Sequence, residues 1–414
     1  MRTFLIAALA ALAAPAAAAE RGLTSPSFLP DDAKILEVLE ASPPLMEARA
    51  VLGGARAQAR MLAAGDHETT LIAALDQRRV RNDGSYSEWS VQASRAIRLP
   101  GKAALDRAAG EAGIVAAQNG LEDARHQASL ALAESYLTWV TAAEARLIDA
   151  EELETYGREV HGLARRVELK DAAQLDLELA RGAEARAQAA LARSQGAERA
   201  ARAELDARYS DLAPPVAPRL PPPQAPLRPF SQWADLIVER SHELVIARAF
   251  ADRERWLAQR LSRDRTPDPT VGVRTFNERG GEETGVGIFI SAPFSGARRS
   301  AAAEQQSASA SAAQARLAMS TREIRAAAQG DVIAATAALE AWRSAALALD
   351  AAQKASGRTA RAYELGERDL SDRLLADRQT FDARRMELQA RADAHRALLK
   401  LALDAHELWL TEER

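Results

Sequence analysis

Histidines are the side chains best able to bind metals or to transfer protons near neutral pH, and the chain contains six of them. They are His67, His126, His161, His242, His395 and His406. No two are four residues apart, the spacing that places two imidazoles on one face of a helix, and the chain has no cysteine to complete a metal site. We therefore expect surface residues rather than metal ligands.

The stretch LPGK at 99–102 has the Gly-Lys pair of a phosphate-binding loop but not the rest of it. That loop needs a glycine at position 96 and a serine or threonine at 103, and both positions are alanine. Paired catalytic carboxylates, a nucleophile beside a base, and a cofactor fingerprint are also missing from the sequence. The chain is therefore not expected to be an enzyme, and no cofactor is predicted.

Two charge-rich interruptions in helical sequence are the remaining polar feature. They lie at 165–183 and 361–379, and Asp176 in the first corresponds to Asp372 in the second. Charges of this kind are commonly solvated, and an exposed ion pair contributes only about 0–1 kcal/mol. Because the two interruptions lie at matching positions, a shared functional role is favoured over simple solvation of the charges.

The composition favours long helices over compact globules. Of 414 residues, 5% are aromatic and 27% charged, and alanine dominates the apolar residues. Such sequence suits helices that pack closely side by side. The net charge of −4 gives no indication of nucleic-acid binding.

The first 19 residues are expected to be a signal peptide. Arg2 precedes an uncharged apolar run, and three alanines stand before Glu20. The chain has no cysteine, so no lipid anchor is expected on the exported protein. No later segment offers about twenty uncharged apolar residues, so we predict no transmembrane helix, and any membrane span would have to be a β-barrel.

The rest of the chain is predicted to be an internal duplication. LMEARAV (45–51) corresponds to LVIARAF (244–250), and Gly101 corresponds to Gly296. The sequence separations of these two pairs and of Asp176 and Asp372 are 199, 195 and 196 residues. Nearly equal separations are typical of repeated structural units. The predicted units are a first repeat at 20–212, a proline-rich extended linker at 213–230, and a second repeat at 231–414.

Each repeat is predicted to contain a pair of β-strands, at about 68–99 and about 269–293. In the first pair, Trp89 and Val91 alternate with Ser90 and Gln92, which gives one apolar and one polar face. Two soluble hairpins packed on helices would also fit this pattern. Because four strands cannot close into a barrel, a membrane location requires several chains to pool their strands.

The long runs after each strand pair are predicted to form helical hairpins. Residues 102–168 would make a helix on the order of 100 Å long. Apolar residues follow a heptad spacing at Leu153, Tyr156, Val160, Leu163 and Val167. A plain periplasmic coiled coil would also fit the heptads alone.

The whole pattern resembles the TolC-like outer-membrane efflux proteins. The resemblance covers nearly all of the mature chain, and two local features carry it: the strand-to-helix turn RAIRLPGKAALDRAA (95–109) and the stretch AYELGERDLSDRLLA (362–376). In the second, Tyr363, Gly366 and Asp372 match the family's signature at the helix tip. The resemblance implies a homotrimer in which twelve strands form one β-barrel and the helices form an α-helical tunnel.

The resemblance also implies roles for particular residues. Ties between neighbouring hairpins close the family's tunnel, and the matching positions are Asp176, Tyr363 and Arg368, with Asp372 in an acidic ring at the constriction. Gly366 would form the helix-tip turn. Further expectations are a strand-to-helix turn at Pro100 and Gly101, and an aromatic residue at the lipid interface or against a helix, Trp89. The family usually has glycine where this chain has Lys170, and it has a second acidic residue at the position of Leu375.

The implied function is that of an outer-membrane duct in a tripartite efflux system. Its partners would be a periplasmic adaptor protein, an inner-membrane proton-driven pump and outer-membrane lipid, with the helices extending into the periplasm. The compact second repeat, the short tail and the LPGK turn favour the branch that serves heavy-metal efflux. The alternatives are a periplasmic coiled-coil adaptor or tether outside the membrane, and a type I secretion duct.

Overall fold

The computed structural model describes residues 26–212, 219–294 and 296–409. The expected signal peptide and residues 213–218 of the linker lie outside that range. In the first repeat the elements are α1 (Asp32–Glu40), α2 (Pro43–Ala64), β1 (Thr69–Val80), β2 (Gly84–Ala96), α3 (Lys102–Glu168) and α4 (Gln174–Arg208). In the second they are α5 (Trp233–Arg240), α6 (His242–Arg263), β3 (Thr270–Glu278), β4 (Glu283–Ser291), α7 (Ala297–Glu364) and α8 (Leu370–Asp404).

The element lengths repeat closely. Helices α2 and α6 both have 22 residues, α4 and α8 both have 35, and α3 and α7 have 67 and 68. The mainly helical fold with a small β part, expected from composition and periodicity, is confirmed. Helices α3 and α7 begin directly after Gly101 and Gly296, where alanine-rich sequence with high helix propensity starts.

The chain divides into two compact units, and each draws on both repeats. We call the first the hairpin unit, formed by the described residues within 1–38, 129–237 and 330–414. The second, the sheet unit, is formed by residues 39–128 and 238–329 without residue 295. Helices α3 and α7 contribute residues to both.

The core of the hairpin unit uses the predicted heptad positions. Leu163 of α3 packs with Leu177 and Ala180 of α4 and with Leu370 of α8. Nearby, Tyr156 packs against Ala183 and Ala187 of α4. Buried leucine and small alanine therefore alternate across the helix contacts, which lets the backbones approach closely.

The described part of the predicted linker packs against helices of the hairpin unit. Residues 219–229 form neither helix nor strand, yet Leu220 is buried. The Leu220 amide donates to Glu144 Oε2 of α3 (2.9 Å), and His395 Nε2 of α8 lies 2.7 Å from the Pro221 carbonyl oxygen. The proline-rich segment forms no helix that would pair its backbone groups. Side chains of α3 and α8 therefore bind the Leu220 amide and the Pro221 carbonyl.

Four antiparallel strands make up the sheet, in the order β1-β2-β3-β4. The register pairs Leu75 with Trp89, Val91 with Thr275, and Thr275 with Val286. Directly paired residues share a face, so most of the apolar residues of the four strands lie on one side, while Ile72, Phe276 and Phe289 lie on the other. Phe289 covers Gly272, its partner across the strands, on the other side.

Helix α7 is the one helix of the described residues that is long and apolar enough to cross a membrane by length and composition. Its most apolar 18-residue window has a mean hydropathy of 1.3. Alanine is its commonest residue, and Trp342 of α7 donates to Glu387 Oε1 of α8 at 2.9 Å. A helix that packs through such a polar contact in the hairpin unit is a weak candidate for a span.

Candidate functional site

The two hairpin tips, where α3 turns into α4 and α7 turns into α8, have the same backbone structure. At the first, Lys170 N donates to Val167 O (3.0 Å) and Asp171 N to Arg166 O (2.8 Å). At the second, Gly366 N donates to Tyr363 O (3.0 Å) and Glu367 N to Ala362 O (2.9 Å). Each pair of bonds satisfies carbonyls left over at a helix C-terminus, in the pattern of a Schellman motif.

Both tips need one residue with positive φ. That residue is Gly366 (φ 76°) in the second tip and Lys170 (φ 59°) in the first. A side chain in the left-handed region costs about 1–2 kcal/mol, whereas glycine is nearly unrestricted. The departure of Lys170 from the family pattern therefore keeps the turn and adds strain.

We expect Lys170→Gly to stabilise the protein and Gly366→Ala to destabilise it, each by about 1 kcal/mol, because only glycine is unstrained at this φ. Gly357→Ala is the matched control, since Gly357 lies inside α7 with open space around it and alanine should stabilise a helix interior. Thermal unfolding of the three variants checks these signs. Equal changes in melting temperature for Gly366→Ala and Gly357→Ala would contradict the conclusion that the second tip needs glycine at position 366.

Charged side chains around Tyr363 join the two tips of a chain. Arg166 NH1 donates to the Tyr363 hydroxyl (3.2 Å), and Arg166 Nε donates to Asp171 Oδ2 (2.9 Å). On the other side, the Arg373 guanidinium lies 5.5 Å from the centre of the Tyr363 ring. Arg166 and Arg373 were not singled out from the sequence, because nothing local distinguishes them from other helix arginines.

The residues expected to form ties lie at these tips, and no hydrogen bond or ion pair joins one of them to another within the described part of the chain. Arg368 NH1 binds Asp372 Oδ2 (3.2 Å), one turn away on the same side of the tip. Asp176 lies in the first turn of α4, and within the described residues its carboxylate has no hydrogen-bond partner. Both carboxylates sit in the first turn of a helix, where the helix dipole favours negative charge. The tie between hairpins stays a prediction.

The strand-to-helix turn at Pro100 and Gly101 leads directly into a buried charge cluster. Leu99 O accepts from Lys102 N (3.3 Å) and Gly101 has φ 84°, which is the geometry of a type II turn with proline at its second position. Lys102, the first residue of α3, is only 1% exposed. Its Nζ donates to Thr266 O, Asp264 Oδ1 and Asp268 Oδ1, each at 2.8 Å.

The ammonium of Lys102 is thus fully satisfied, and its two carboxylate partners are held ionised. Burial opposes the charge of Asp264 and Asp268, but hydrogen bonds from Arg260 to Asp264 and from Lys102 to both outweigh it and lower the pKa of each carboxyl. Asp268 also accepts from the Leu99 amide (2.9 Å). The cluster therefore holds the first turn of α3 beside the start of β3. The LPGK sequence alone did not reveal this contact.

The apolar face of the sheet is open to solvent in a single chain. Seven of its large side chains are between 43% and 82% exposed, with Trp89 at the lower limit. They are Leu71, Leu75, Trp89, Val273, Val286, Ile288 and Ile290. The edge strands β1 and β4 each pair on one side only within the described residues. An apolar patch of this kind marks a contact with membrane or protein.

Solved structures with the same fold are outer-membrane proteins. The outer-membrane channel OprN superposes with a TM-score of 0.79 at 17% identity, covering 92% of this chain and 91% of that one. VceC from Vibrio cholerae superposes with a TM-score of 0.76 at 18% identity, covering 90% of this chain and 95% of that one. The CmeC channel of Campylobacter jejuni superposes with a TM-score of 0.74 at 13% identity, covering 92% of this chain and 86% of that one. No protein-family model and no curated protein sequence matches the chain. The chain therefore has the fold of the TolC-like outer-membrane channels.

Proposed function

We propose that this protein is the outer-membrane duct of a tripartite efflux system and acts as a homotrimer. The observation that carries the proposal is the sheet, with its exposed apolar face and two unpaired edges. In lipid, unpaired strand edges are too costly, and three copies supplying four strands each would remove them by closing one barrel. The outward apolar face would then contact lipid, with Trp89 near its boundary.

The hairpin tips would face the periplasm and contact a periplasmic adaptor and a proton-driven pump of the inner membrane. The fold that this chain shares with outer-membrane channels supports this assignment of partners. A duct of this kind carries out no chemistry, which agrees with the absence of catalytic motifs in the sequence. For the cargo we propose heavy-metal cations, on the sequence of the LPGK turn at 99–102.

The alternative of a soluble adaptor or tether has less support. An adaptor would have one helical hairpin flanked by split β-domains, whereas this chain has two hairpins, α3–α4 and α7–α8, and one sheet. The exposed apolar face would also be a liability in a soluble protein.

Membrane fractionation of the expressed full-length protein tests the proposal. We expect recovery in the outer membrane and, after detergent extraction, a particle three times the mass of one chain. Recovery in the soluble periplasmic fraction as a monomer would overturn the duct. A deletion strain should become sensitive to divalent metals if the cargo is as proposed. Sensitivity to drugs alone, or loss of a secreted protein, would instead assign a different cargo.

A further inference from the structure

A histidine and two carboxylates converge in the sheet unit from positions far apart in the chain. Asp123 and His126 are three residues apart on α3, and Glu243 belongs to the first turn of α6. One potential ligand atom from each residue lies within 4.8 Å of the others, and His126 Nδ1 is 4.0 Å from Asp123 Oδ1. The helix spacing of three places Asp123 and His126 on one face, so both side chains can reach a common point.

The surroundings fix two of the three side chains. His126 is 6% exposed, which contradicts the expectation that the histidines are surface residues; His395 and His406 are buried as well. Glu243 Oε2 accepts from the hydroxyl of Ser241 (2.6 Å), and that hydroxyl also caps α6 by accepting from Leu244 N (3.2 Å). Bonds of this sort from neighbouring residues orient metal ligands in proteins.

One carboxylate oxygen of this cluster has no hydrogen-bond partner in the described part of the chain. That oxygen, Asp123 Oδ1, is buried. A divalent ion between the two carboxylates would replace their repulsion by attraction and satisfy the buried oxygen.

We propose that Asp123, His126 and Glu243 bind a divalent transition-metal cation, such as Zn²⁺, which joins α3 to α6. Imidazole with carboxylates is a ligand set that suits Zn²⁺ better than Mg²⁺ or Ca²⁺, which prefer oxygen ligands alone. Both carboxylates are only half-buried, so rotation of their side chains can bring the oxygens closer to a common ion. A cleft of about 760 Å³ is lined by Asp123 and Glu243 and gives an ion access from solvent.

This site is independent of the proposed duct, because a single chain supplies all three ligands and no trimer or tip contact is needed. Its position in the sequence explains why periodicity did not reveal it. His126 lacks a second histidine one turn away, and Glu243 is more than a hundred residues downstream.

Calorimetric titration of the full-length, detergent-purified and chelator-treated protein with ZnCl₂, and in parallel with MgCl₂, tests the site. We expect one Zn²⁺ per chain and an increased melting temperature, with Mg²⁺ at least about tenfold weaker. Asp123→Asn and Glu243→Gln should each weaken Zn²⁺ binding by at least about tenfold, because each removes a ligand while keeping the side-chain shape.

The matched controls are His161→Gln and Asp252→Asn, an exposed histidine of α3 and a carboxylate of α6 outside the cluster. They should bind Zn²⁺ as the wild type does. A wild-type affinity weaker than about 100 µM, or equal affinities in the ligand and control variants, would overturn the proposal. X-ray absorption at the zinc edge should show one imidazole nitrogen among oxygen ligands, and a purely oxygen shell would also contradict it.

Discussion

Replacing Lys102 by methionine should destabilise the protein by about 3–5 kcal/mol, the usual cost of removing one partner from a buried ion pair. Methionine keeps the length of the side chain but removes the ammonium from Asp264 and Asp268, whose side chains are 24% and 12% exposed, so that only the Arg260 guanidinium remains to bind Asp264. Thermal unfolding in detergent measures the effect. The carboxylates would either stay charged at a high cost or take up protons, and both responses lower the stability near neutral pH.

Lys354→Met is the control for this prediction. Lys354 lies on α7 with a side chain 66% exposed, and its ion pair with Asp350 (2.6 Å) is an ordinary contact along one helix turn. That substitution should change the stability by no more than about 0.5 kcal/mol. The triple variant Lys102→Met, Asp264→Asn, Asp268→Asn should recover part of the loss, because it removes the uncompensated charges. Equal stabilities of the two lysine variants would refute the buried cluster.

Replacing Arg368 by serine should increase the conductance of single channels in planar bilayers, if the hairpin ties close the pore as proposed. Three ties of about 1 kcal/mol each would favour the closed state by about 3 kcal/mol, which corresponds to roughly a hundredfold in the closed-to-open ratio. Within one chain Arg368 binds Asp372, so the tie requires it to exchange that partner for Asp176 of a neighbouring hairpin.

Two further variants separate the tie from a general loss of charge at the tip. Arg361→Ser removes an exposed arginine of α7 that pairs with Glu364 on its own helix, and its conductance should equal that of the wild type. Asp176→Asn should act like Arg368→Ser, and the double variant should add nothing, because both substitutions break one contact. Unchanged conductance in Arg368→Ser, or additive effects in the double variant, would eliminate the tie.

Local patterns in the sequence were sufficient for the secondary structure. Period-two alternation predicted the apolar face that contains Trp89, and heptads predicted the buried face of α3 around Leu163. Proline followed by glycine predicted the turn before α3. These features are encoded locally because backbone geometry repeats every two or 3.6 residues. The duplication was visible for the same reason, since each repeat uses the same local signals.

Only the tertiary structure decided which distant side chains meet. Lys102 joins Asp264 and Asp268 across more than 160 positions, Arg166 meets Tyr363 across 197, and Glu243 approaches His126. Such pairs depend on the register in which helices and strands pack. The sequence around a charged residue does not indicate which distant residue it will contact. The sequence by itself therefore determined the repeated helices, strands and turns of this protein. Packing decided that Lys102 and His126 are buried, because burial depends on what covers a residue.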